Sequence, residues 1–172
     1  MIYIVGIGSN MPSRYGSSID SLKLAIKKLN QNNIRVIKKS FLYSSAPRDF
    51  KSAANMFCNG AIMVDSALKP ESLLNVIKSV ERDLGRYIYK KNSSRTCDLD
   101  ILLVRPKSEM LSTDISSKCI LPHPRIHERE FVLRPLMDIC PNWIHPLQNR
   151  RISDIYKMSN TDKKLYKMAK KL

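Results

Sequence analysis

The sequence predicts a single α+β domain of the ferredoxin-like class. In this class a βαββαβ core forms an antiparallel sheet with helices packed on its faces, here followed by a C-terminal extension. Strand-like and helix-like patterns follow one another in the order β-α-β-β-α-β over residues 2–104. The length of 172 residues and the hydrophobic content of 43% are typical of one domain with a buried core. We expect the two core helices to cover one face of the sheet.

Four strands are predicted where β-branched, aromatic and other apolar residues run between turn signals. These strands span residues 2–8, 34–43, 57–64 and 97–104. Residues 44–54, between the second and third strands, are predicted to form a loop. The sequence shows no internal repeat and no interdomain linker.

Helices are predicted where apolar residues recur at helical spacing. The first spans residues 17–29, and the second spans residues 70–84, with a proline in its first turn and a glycine directly after it. In the extension, residues 128–139 are predicted to be helical despite Pro135, and residues 152–158 are predicted to form a last short helix.

The chain is strongly basic, with 30 Lys and Arg against 15 Asp and Glu and a net charge of +15. Such an excess favours polyanionic partners, namely RNA, acidic lipid or a triphosphate ligand. Part of it lies in a lysine-rich tail, residues 159–172, which we expect to be a solvated helix or a frayed end after the domain at residues 1–158. The apolar run at residues 2–7 is too short to span a membrane, so it is predicted to be a core strand.

Cysteine usage indicates a reducing compartment. The four cysteines are Cys58, Cys97, Cys119 and Cys140. They contain no Cys-x-x-Cys pair and follow no secretory signal, so we expect reduced thiols in a cytoplasmic protein. Cys119, His123 and His127 invite a zinc interpretation, but prolines on both sides of His123 prevent a shared helix face and a fourth ligand is missing.

Two carboxylates stand at the start of the predicted fourth strand. Side chains alternate along a strand, so Asp98 and Asp100 share one face, while Leu99, Ile101 and Leu103 share the other. Carboxylates about 6.5 Å apart along a strand are suited to one or two Mg²⁺ ions, whose remaining ligands would be substrate phosphates.

The alternative to a metal site is a pair of acids that face solvent and form a salt bridge to Arg95. The surrounding basic side chains favour the metal interpretation, because cations beside metal-binding acids are expected where an anion belongs between them. These basic residues are Arg86, Lys90, Lys91 and Arg95.

The run GIGSN at residues 6–10 is not a nucleotide-binding loop. It lacks the Lys-Ser/Thr of a Walker loop, and Met11 stands where G-x-G-x-x-G requires a third glycine. We therefore expect the two glycines to form a turn after the first strand, and any nucleotide to be held by side-chain cations.

Seven segments in order resemble the 6-hydroxymethyl-7,8-dihydropterin pyrophosphokinase family of folate biosynthesis, over residues 2 to 147. They are GIGSN at 6–10, YSSAP at 43–47, FCNGAI at 57–62, VERDLGR at 80–86, RTCDLDILL at 95–103, LPHPRIHEREFVLRPL at 121–136 and DICPNWIHP at 138–146. The resemblance implies transfer of the β,γ-pyrophosphoryl group of ATP to the pterin hydroxymethyl oxygen, with release of AMP. It also implies two Mg²⁺ ions on Asp98 and Asp100, with Arg86 and Arg95 as catalytic cations.

The resemblance further implies two sets of substrate contacts. The ATP-binding set is Glu81, Arg86, Arg95, Ile101, Lys118, His123 and Arg129. The pterin-binding set is Ser45, Phe57, Asn59 and Phe131, with the two rings stacking on the pterin. Each of these residues also has a structural alternative. The arginines could form surface salt bridges, and Glu81 could be a solvated helix residue. His123 could be a turn residue, and the apolar residues could belong to the core.

This chain departs from the family pattern at several positions. Phe57 stands where Tyr is common, Ser45 where Thr is usual, and Asn92 replaces a Trp that helps to close a lid in the family, in a loop one residue shorter. We expect these changes to affect affinity and turnover more than reaction type, with Tyr87, Tyr89 or Phe50 available for closure.

Two other functions are compatible with parts of the pattern. A ferredoxin-like RNA-binding module fits the element order and charge, although no strand carries the aromatic RNA-recognition motif. A metal-dependent nucleotide-sugar transferase would use the D-x-D pair, but such enzymes are longer. We expect a monomer acting on small-molecule substrates, without a membrane or a specific nucleic acid as partner.

Overall fold

The computed structural model describes residues 1–47, 54–86, 93–105, 119–159 and 165–171. The strands in this part of the chain are β1 (Ile2–Ser9), β2 (Arg35–Lys39), β3 (Phe41–Ser45), β4 (Phe57–Asp65), β5 (Asp98–Arg105), β6 (Ile144–His145), β7 (Arg150–Arg151) and β8 (Tyr166–Lys171). The helices are α1 (Ser18–Gln31), α2 (Pro70–Asp83), α3 (Glu130–Ile139) and α4 (Ile152–Met158). The observed order up to Arg105 is therefore β-α-β-β-β-α-β, with one strand more between the two helices than predicted, and α3, α4 and three further strands follow it.

The main sheet of the described residues is antiparallel and has six strands in the order β5-β1-β4-β3-β8, with β2 also paired to β4. Central strand β1 pairs along its full length with the other central strand, β4, from Ile2 opposite Asp65 to Ser9 opposite Cys58. This register places the C-terminal end of β1 beside the N-terminal ends of β4 and β5. The candidate site lies at this end of the sheet.

The predicted second strand, residues 34–43, is wrong as one continuous element. It divides at Ser40, which is buried, and the backbone N–H of Ser40 donates to the Ala61 carbonyl at 2.9 Å. The Ser40 hydroxyl accepts a second bond, from the Ala61 N–H at 2.9 Å. This side-chain bond replaces a ladder bond and separates β2 from β3. The predicted loop also begins too early, because β3 continues to Ser45.

Helices cover both faces of the sheet, as alternate residues of β1 show. Tyr3, Val5 and Ile7 are buried in a core cluster that includes apolar residues of α1 and α2. Ile4 points the other way, into a second cluster with residues of α3 and α4. The first two helices therefore cover one face, as expected, and the extension covers the other.

Local capping explains where the first two helices begin and end. The Ser17 hydroxyl accepts from the Asp20 N–H while Asp20 accepts from the Ser17 N–H, a capping box at the start of α1. Pro70 occupies the first turn of α2, and Gly85 follows the helix at φ +82, a conformation that favours glycine. This turn directs the next residue, Arg86, toward β5.

The extension differs from the prediction in two places. Helix α3 begins at Glu130 rather than residue 128, because Arg129 has an extended backbone with φ −123 and ψ 107. The expectation of a helix or frayed end in the tail is wrong for Tyr166–Lys171, which forms β8 against β3. The ammonium of Lys167 lies 3.6 Å from the centre of the Phe41 ring, a favourable cation–π contact across the pair.

The four cysteines are all buried and none is in a disulfide. Among the described residues, no helix has the length and apolar composition needed to cross a membrane.

Candidate active site

The two acids of the D-x-D motif lie side by side in β5 and face one cleft. Asp98 pairs with Gly8 and Asp100 with Gly6 in the antiparallel ladder to β1. Their side chains are 21% and 42% exposed, so both are accessible to a ligand. The residues between and after them, Leu99 and Ile101, are buried in the core cluster on the opposite face. The predicted separation of the acids from these two residues is confirmed.

The prediction that Leu103 shares the face of Leu99 is wrong because β5 contains a bulge. Ile4 pairs with Leu103 and Val5 with Ile101, so the intervening residue has no partner in β1. That residue, Leu102, and Leu103 therefore both pack in the cluster with α3 and α4. Strict alternation fails past the bulge, while the acids before it keep their orientation.

The cleft brings together six of the residues predicted as metal, ATP or pterin contacts. These residues are Asn59, Asp98, Asp100, His123, Arg129 and Phe131. The cleft that these residues line is open to solvent. Ser45, Arg86 and Arg95 contact members of this set, and Glu81 contacts Arg86, as described below. Lys118 lies outside the described residues.

Two guanidinium groups meet Asp98. Arg86 contacts one carboxylate oxygen at 2.6 Å, and Arg95 contacts the other at 2.9 Å. Burial would lower the pKa of Arg86, but Asp98 and Glu81 outweigh that effect and raise it. The bridge to Arg95 that belonged to the alternative interpretation is present for Asp98, as part of a larger cluster of charges. Both arginines thus stand where they could move from a carboxylate to a phosphate oxygen.

Glu81 is buried beneath this cluster, so the alternative of a solvated helix residue is wrong. Its side chain is 3% exposed, and its carboxylate accepts from the Leu99 N–H at 2.6 Å. Lys78 contacts the same carboxylate at 3.0 Å, and Arg86 also bonds to it. Burial raises the pKa of Glu81, and the two cations and the Leu99 N–H act against that rise.

Lys78 is a member of the site that the sequence analysis did not single out. Its ammonium lies 3.8 Å from Asp100 and donates to the Leu99 carbonyl at 3.2 Å. Lys78 and Glu81 are three residues apart on a helix and so share a face. That spacing was a signal that sequence inspection could have used.

His123 is held at the edge of the cleft by backbone contacts. Its N–H donates to the Leu102 carbonyl at 2.9 Å, and its Nδ1 accepts from the Arg125 N–H at 3.2 Å. Burial lowers the pKa of His123; Asp100 acts against this, while Arg129 adds to it. With Nδ1 as an acceptor, the neutral ring carries its proton on Nε2, where it can donate to an anion. The turn and binding interpretations of His123 are thus compatible.

The cleft also carries an amide and an aromatic ring. Asn59 is buried in β4, and its Nδ2 donates to the Ser45 hydroxyl at 2.9 Å, which fixes the amide plane. Phe131, in the first turn of α3, lines the cleft with the Arg129 guanidinium 5.6 Å from its ring centre. Phe57 lies near the arginines, with Arg95 5.6 Å from its ring centre. Neither ring belongs to the buried clusters of the described chain, which favours binding over core packing.

The expectation that the glycines of GIGSN form a turn is wrong. Gly6 and Gly8 lie within β1 and line the cleft. A Cβ atom on Gly8 would lie 3.1 Å from Asn59 Oδ1 and 3.9 Å from the Asp98 Cβ. The absence of a side chain at Gly8 therefore keeps open the space between the amide and the carboxylate.

Ile101 is only 5% exposed and packs in the core with α1 and α2. Its contacts are those of a core residue, the alternative noted for this position. An adenine contact at Ile101 stays a prediction.

The carboxylate oxygens of Asp98 and Asp100 are suited to a hard divalent cation whose coordination shell is completed by a substrate. Both side chains offer oxygen and open into the cleft. Within the described ranges, no group of three or more His, Cys, Asp and Glu residues could hold a metal ion on its own. A pair of carboxylates with phosphate and water as further ligands is how Mg²⁺ is usually bound with nucleotides.

Comparisons with known proteins agree with this geometry. Residues 4–141 match the family described as 7,8-dihydro-6-hydroxymethylpterin-pyrophosphokinase (HPPK). The chain belongs to the HPPK family. The match spans every residue of the cleft.

Relatives of this HPPK-family chain include proteins of very different length. A 2-amino-4-hydroxy-6-hydroxymethyldihydropteridine pyrophosphokinase of Aquifex aeolicus is 35% identical over 157 residues, which cover 91% of each chain. The folic acid synthesis protein fol1 of Pneumocystis carinii is 36% identical over 152 residues, which cover 88% of this chain and 19% of that protein. The chain thus spans about a fifth of the length of this second relative.

The fold is shared with a solved structure. A Plasmodium falciparum HPPK-DHPS triple mutant superimposes with a TM-score of 0.65 over 91% of this chain and 44% of that one, at 16% identity. The mixed α/β architecture with an antiparallel sheet and four described helices is therefore that of HPPK structures.

Proposed function

We propose that this protein transfers pyrophosphate from ATP to 6-hydroxymethyl-7,8-dihydropterin, giving the pterin diphosphate and AMP in folate biosynthesis. The observation that carries this proposal is the cleft itself. Its lining combines the paired acids with two groups that can bind an anion, on His123 and Arg129, and with an amide and a ring, on Asn59 and Phe131. A flat hydrogen-bonding acceptor and a polyphosphate donor would meet above the acids.

The pterin is assigned to the end of the cleft beside Asn59. An amide can donate to and accept from a pterin edge, and the Ser45 bond holds its plane. Phe131 and Phe57 supply the faces for stacking. This placement directs the hydroxymethyl group from the amide toward Asp98, across the space kept open by Gly8.

The triphosphate is assigned to the anion-binding side chains of the cleft and to the arginines beside Asp98. The Nε2–H of His123 and the guanidinium of Arg129 would bind phosphate oxygens, and Arg86 and Arg95 would exchange part of their contact with Asp98 for the transferred group. Phosphoryl transfer depends mainly on alignment and on neutralisation of charge spread over phosphate oxygens, which planar, multidentate guanidinium groups provide.

The metal requirement follows from the acids. Two Mg²⁺ ions, when bound by Asp98 and Asp100, would supply positive charge to the phosphates and lower the pKa of the attacking hydroxyl. The residues of this chain align the acceptor oxygen with the β-phosphorus and hold the departing AMP phosphate opposite to it.

Other assignments belong to the same proposal. We infer that the core has ferredoxin-like topology, supported by the sheet order, and that residues 1–158 form the catalytic domain. The free cysteines support a cytoplasmic location. We propose a monomer that acts on small-molecule substrates without a specific nucleic acid. Helices on both faces of the sheet support the last point, because an RNA-recognition sheet needs an open face.

Product analysis tests this function. The protein is incubated with ATP, Mg²⁺ and 6-hydroxymethyl-7,8-dihydropterin, and nucleotides are separated by chromatography. We expect AMP to accumulate in a 1:1 ratio with the pterin diphosphate. Accumulation of ADP, or no turnover of the pterin, would overturn the proposal. The Asp98→Ala variant, and separately Asp100→Ala, is expected to abolish turnover while the circular dichroism spectrum stays that of the wild type.

A further inference from the structure

We propose that Glu81 is a positioning residue that keeps the cation beside each aspartate of the metal site from pairing fully with that aspartate, rather than a direct contact to ATP. The proposal starts from burial. The Glu81 side chain is 3% exposed and lies on the inner side of β5, whereas the nucleotide is assigned to the cleft. Glu81 does not line that cleft.

The contacts of Glu81 join helix α2 to the strand that carries both acids. The carboxylate accepts from the backbone N–H of Leu99, the residue between Asp98 and Asp100, at 2.6 Å. This charge-assisted bond fixes the position of β5 relative to α2. Movement of Glu81 would therefore displace both acids together.

Each cation bound by Glu81 is shared with a different aspartate. Lys78 lies 3.0 Å from Glu81 and 3.8 Å from Asp100. Arg86 bonds to Glu81 and lies 2.6 Å from Asp98. Glu81 thus divides the attraction of both cations between itself and the acids.

This sharing matters for the metal, because a cation and Mg²⁺ compete for the same carboxylate oxygens. Without the charge on Glu81, Lys78 and Arg86 would turn more fully to Asp100 and Asp98. The acids would then bind a divalent ion more weakly. This inference rests on the proposed function only in assigning a divalent ion to Asp98 and Asp100.

The experiment measures binding of Mn²⁺ alone to the full-length protein, from the electron paramagnetic resonance signal of free Mn²⁺. Glu81→Gln keeps an acceptor for the Leu99 N–H and removes the charge. Glu71→Gln is the matched control, because Glu71 is an exposed acid at the start of the same helix. We expect Glu81→Gln to weaken Mn²⁺ binding by about tenfold, as for other groups that orient metal ligands, and Glu71→Gln to leave it unchanged.

A double variant separates positioning from general loss of structure. Adding Lys78→Met to Glu81→Gln removes the competing ammonium at Asp100 and should restore much of the Mn²⁺ affinity. Mn²⁺ affinity in Glu81→Gln equal to that in Glu71→Gln would overturn the proposal, and so would a loss that Lys78→Met does not relieve. These outcomes are distinct from failure of the proposed function, which would be the absence of AMP formation by the wild type.

Discussion

Arg86 lies 2.6 Å from Asp98, and this contact connects the end of helix α2 to the first residue of strand β5. Gly85, at φ +82, turns the chain just before Arg86 and so allows the contact. The first aspartate of the proposed metal site therefore already has a cationic partner. The same guanidinium is well placed to follow negative charge from the carboxylate to a phosphate when substrate binds.

Replacing Arg86 should impair chemistry more than folding. We expect Arg86→Ala to lower kcat/KM for ATP by about 10²- to 10³-fold, the effect typical of removing one donor from a developing anion. Arg86→Lys should recover only part of the lost kcat/KM, because a lysine ammonium lacks the planar, paired N–H donors of a guanidinium. The control is Arg82→Ala, an exposed arginine on the same helix. Steady-state kinetics of the three variants check the prediction, and equal rates for Arg86→Ala and Arg82→Ala would exclude a catalytic role.

Adding a methyl group at Gly8 should selectively weaken pterin binding. The new Cβ would lie 3.1 Å from Asn59 Oδ1, and the bond to Ser45 restricts movement of that amide. We expect Gly8→Ala to raise the Kd of the pterin by about tenfold, a cost of about 1.4 kcal/mol, while the Kd of MgATP is unchanged.

Isothermal titration calorimetry measures both constants for Gly8→Ala. The Asn59→Ala background provides the control, since a shortened side chain leaves room for the methyl group. In that background the further loss from Gly8→Ala should be small. An equal loss in both backgrounds would show that Gly8 acts independently of Asn59.

The hydroxyl of Ser45 should matter through Asn59. Ser45→Ala leaves the buried Nδ2 of Asn59 without its acceptor at 2.9 Å, at an expected cost of about 1–3 kcal/mol. We expect lower pterin affinity and a lower free energy of unfolding in urea. Ser45→Thr keeps the hydroxyl and should restore both. Failure of the threonine variant to bind the pterin better than the alanine variant would contradict this role.

The buried ring of His145 should make stability pH-dependent. His145 is 2% exposed, and burial together with the nearby His127 lowers its pKa below the ordinary value of about 6.5. Between the folded and unfolded pKa values, His145 therefore binds a proton in the unfolded chain and stays neutral in the folded chain. Stability is therefore complete above pH 6.5 and falls as the pH drops toward the lowered folded-state pKa.

Urea unfolding at pH 7.5 and 5.5 tests the His145 prediction. His145 Nδ1 accepts from the Gln148 N–H at 3.3 Å, and the oxygen of Asn can take over that bond. We expect the His145→Asn variant to lose less stability than the wild type between the two pH values. The same loss in both proteins would assign the pH dependence to other groups.

The parts of the fold that follow from local pattern could be predicted from the sequence. Helix α2 was placed within one residue because Pro70 and the glycine after it mark both ends. The orientation of Asp98 and Asp100 toward one face of the sheet followed from the alternation of side chains along a strand. The six predicted residues that line the cleft come from three of the seven family-like segments, and the resemblance to a known family located them.

The features that were missed depend on contacts between distant segments. The break at Ser40 arises from its bonds to Ala61, and β8 forms only because β3 offers an edge. The bulge at Leu102 likewise depends on the register with β1. Such pairings leave no local periodicity to detect.

The electrostatic roles were also hidden from sequence inspection. Burial of Glu81 could not be inferred from helical spacing alone, because the residue sits at the border of the apolar face of α2 and charged residues at that border are usually solvated. Lys78 was overlooked because its partner Asp100 lies in another element. The place of Gly8 at the cleft was overlooked since glycine at the end of an apolar run usually marks a turn.

A ternary crystal structure tests the central claim most directly. The protein would be crystallised with Mg²⁺, 6-hydroxymethylpterin and α,β-methylene-ATP, whose bridge between the α- and β-phosphorus atoms cannot be cleaved. The account predicts divalent density beside Asp98 and Asp100, with the β-phosphate between that density and Arg86 and the pterin against Asn59. Phosphates bound elsewhere, with both acids still paired to Arg86, Arg95 and Lys78 and without a metal, would contradict it.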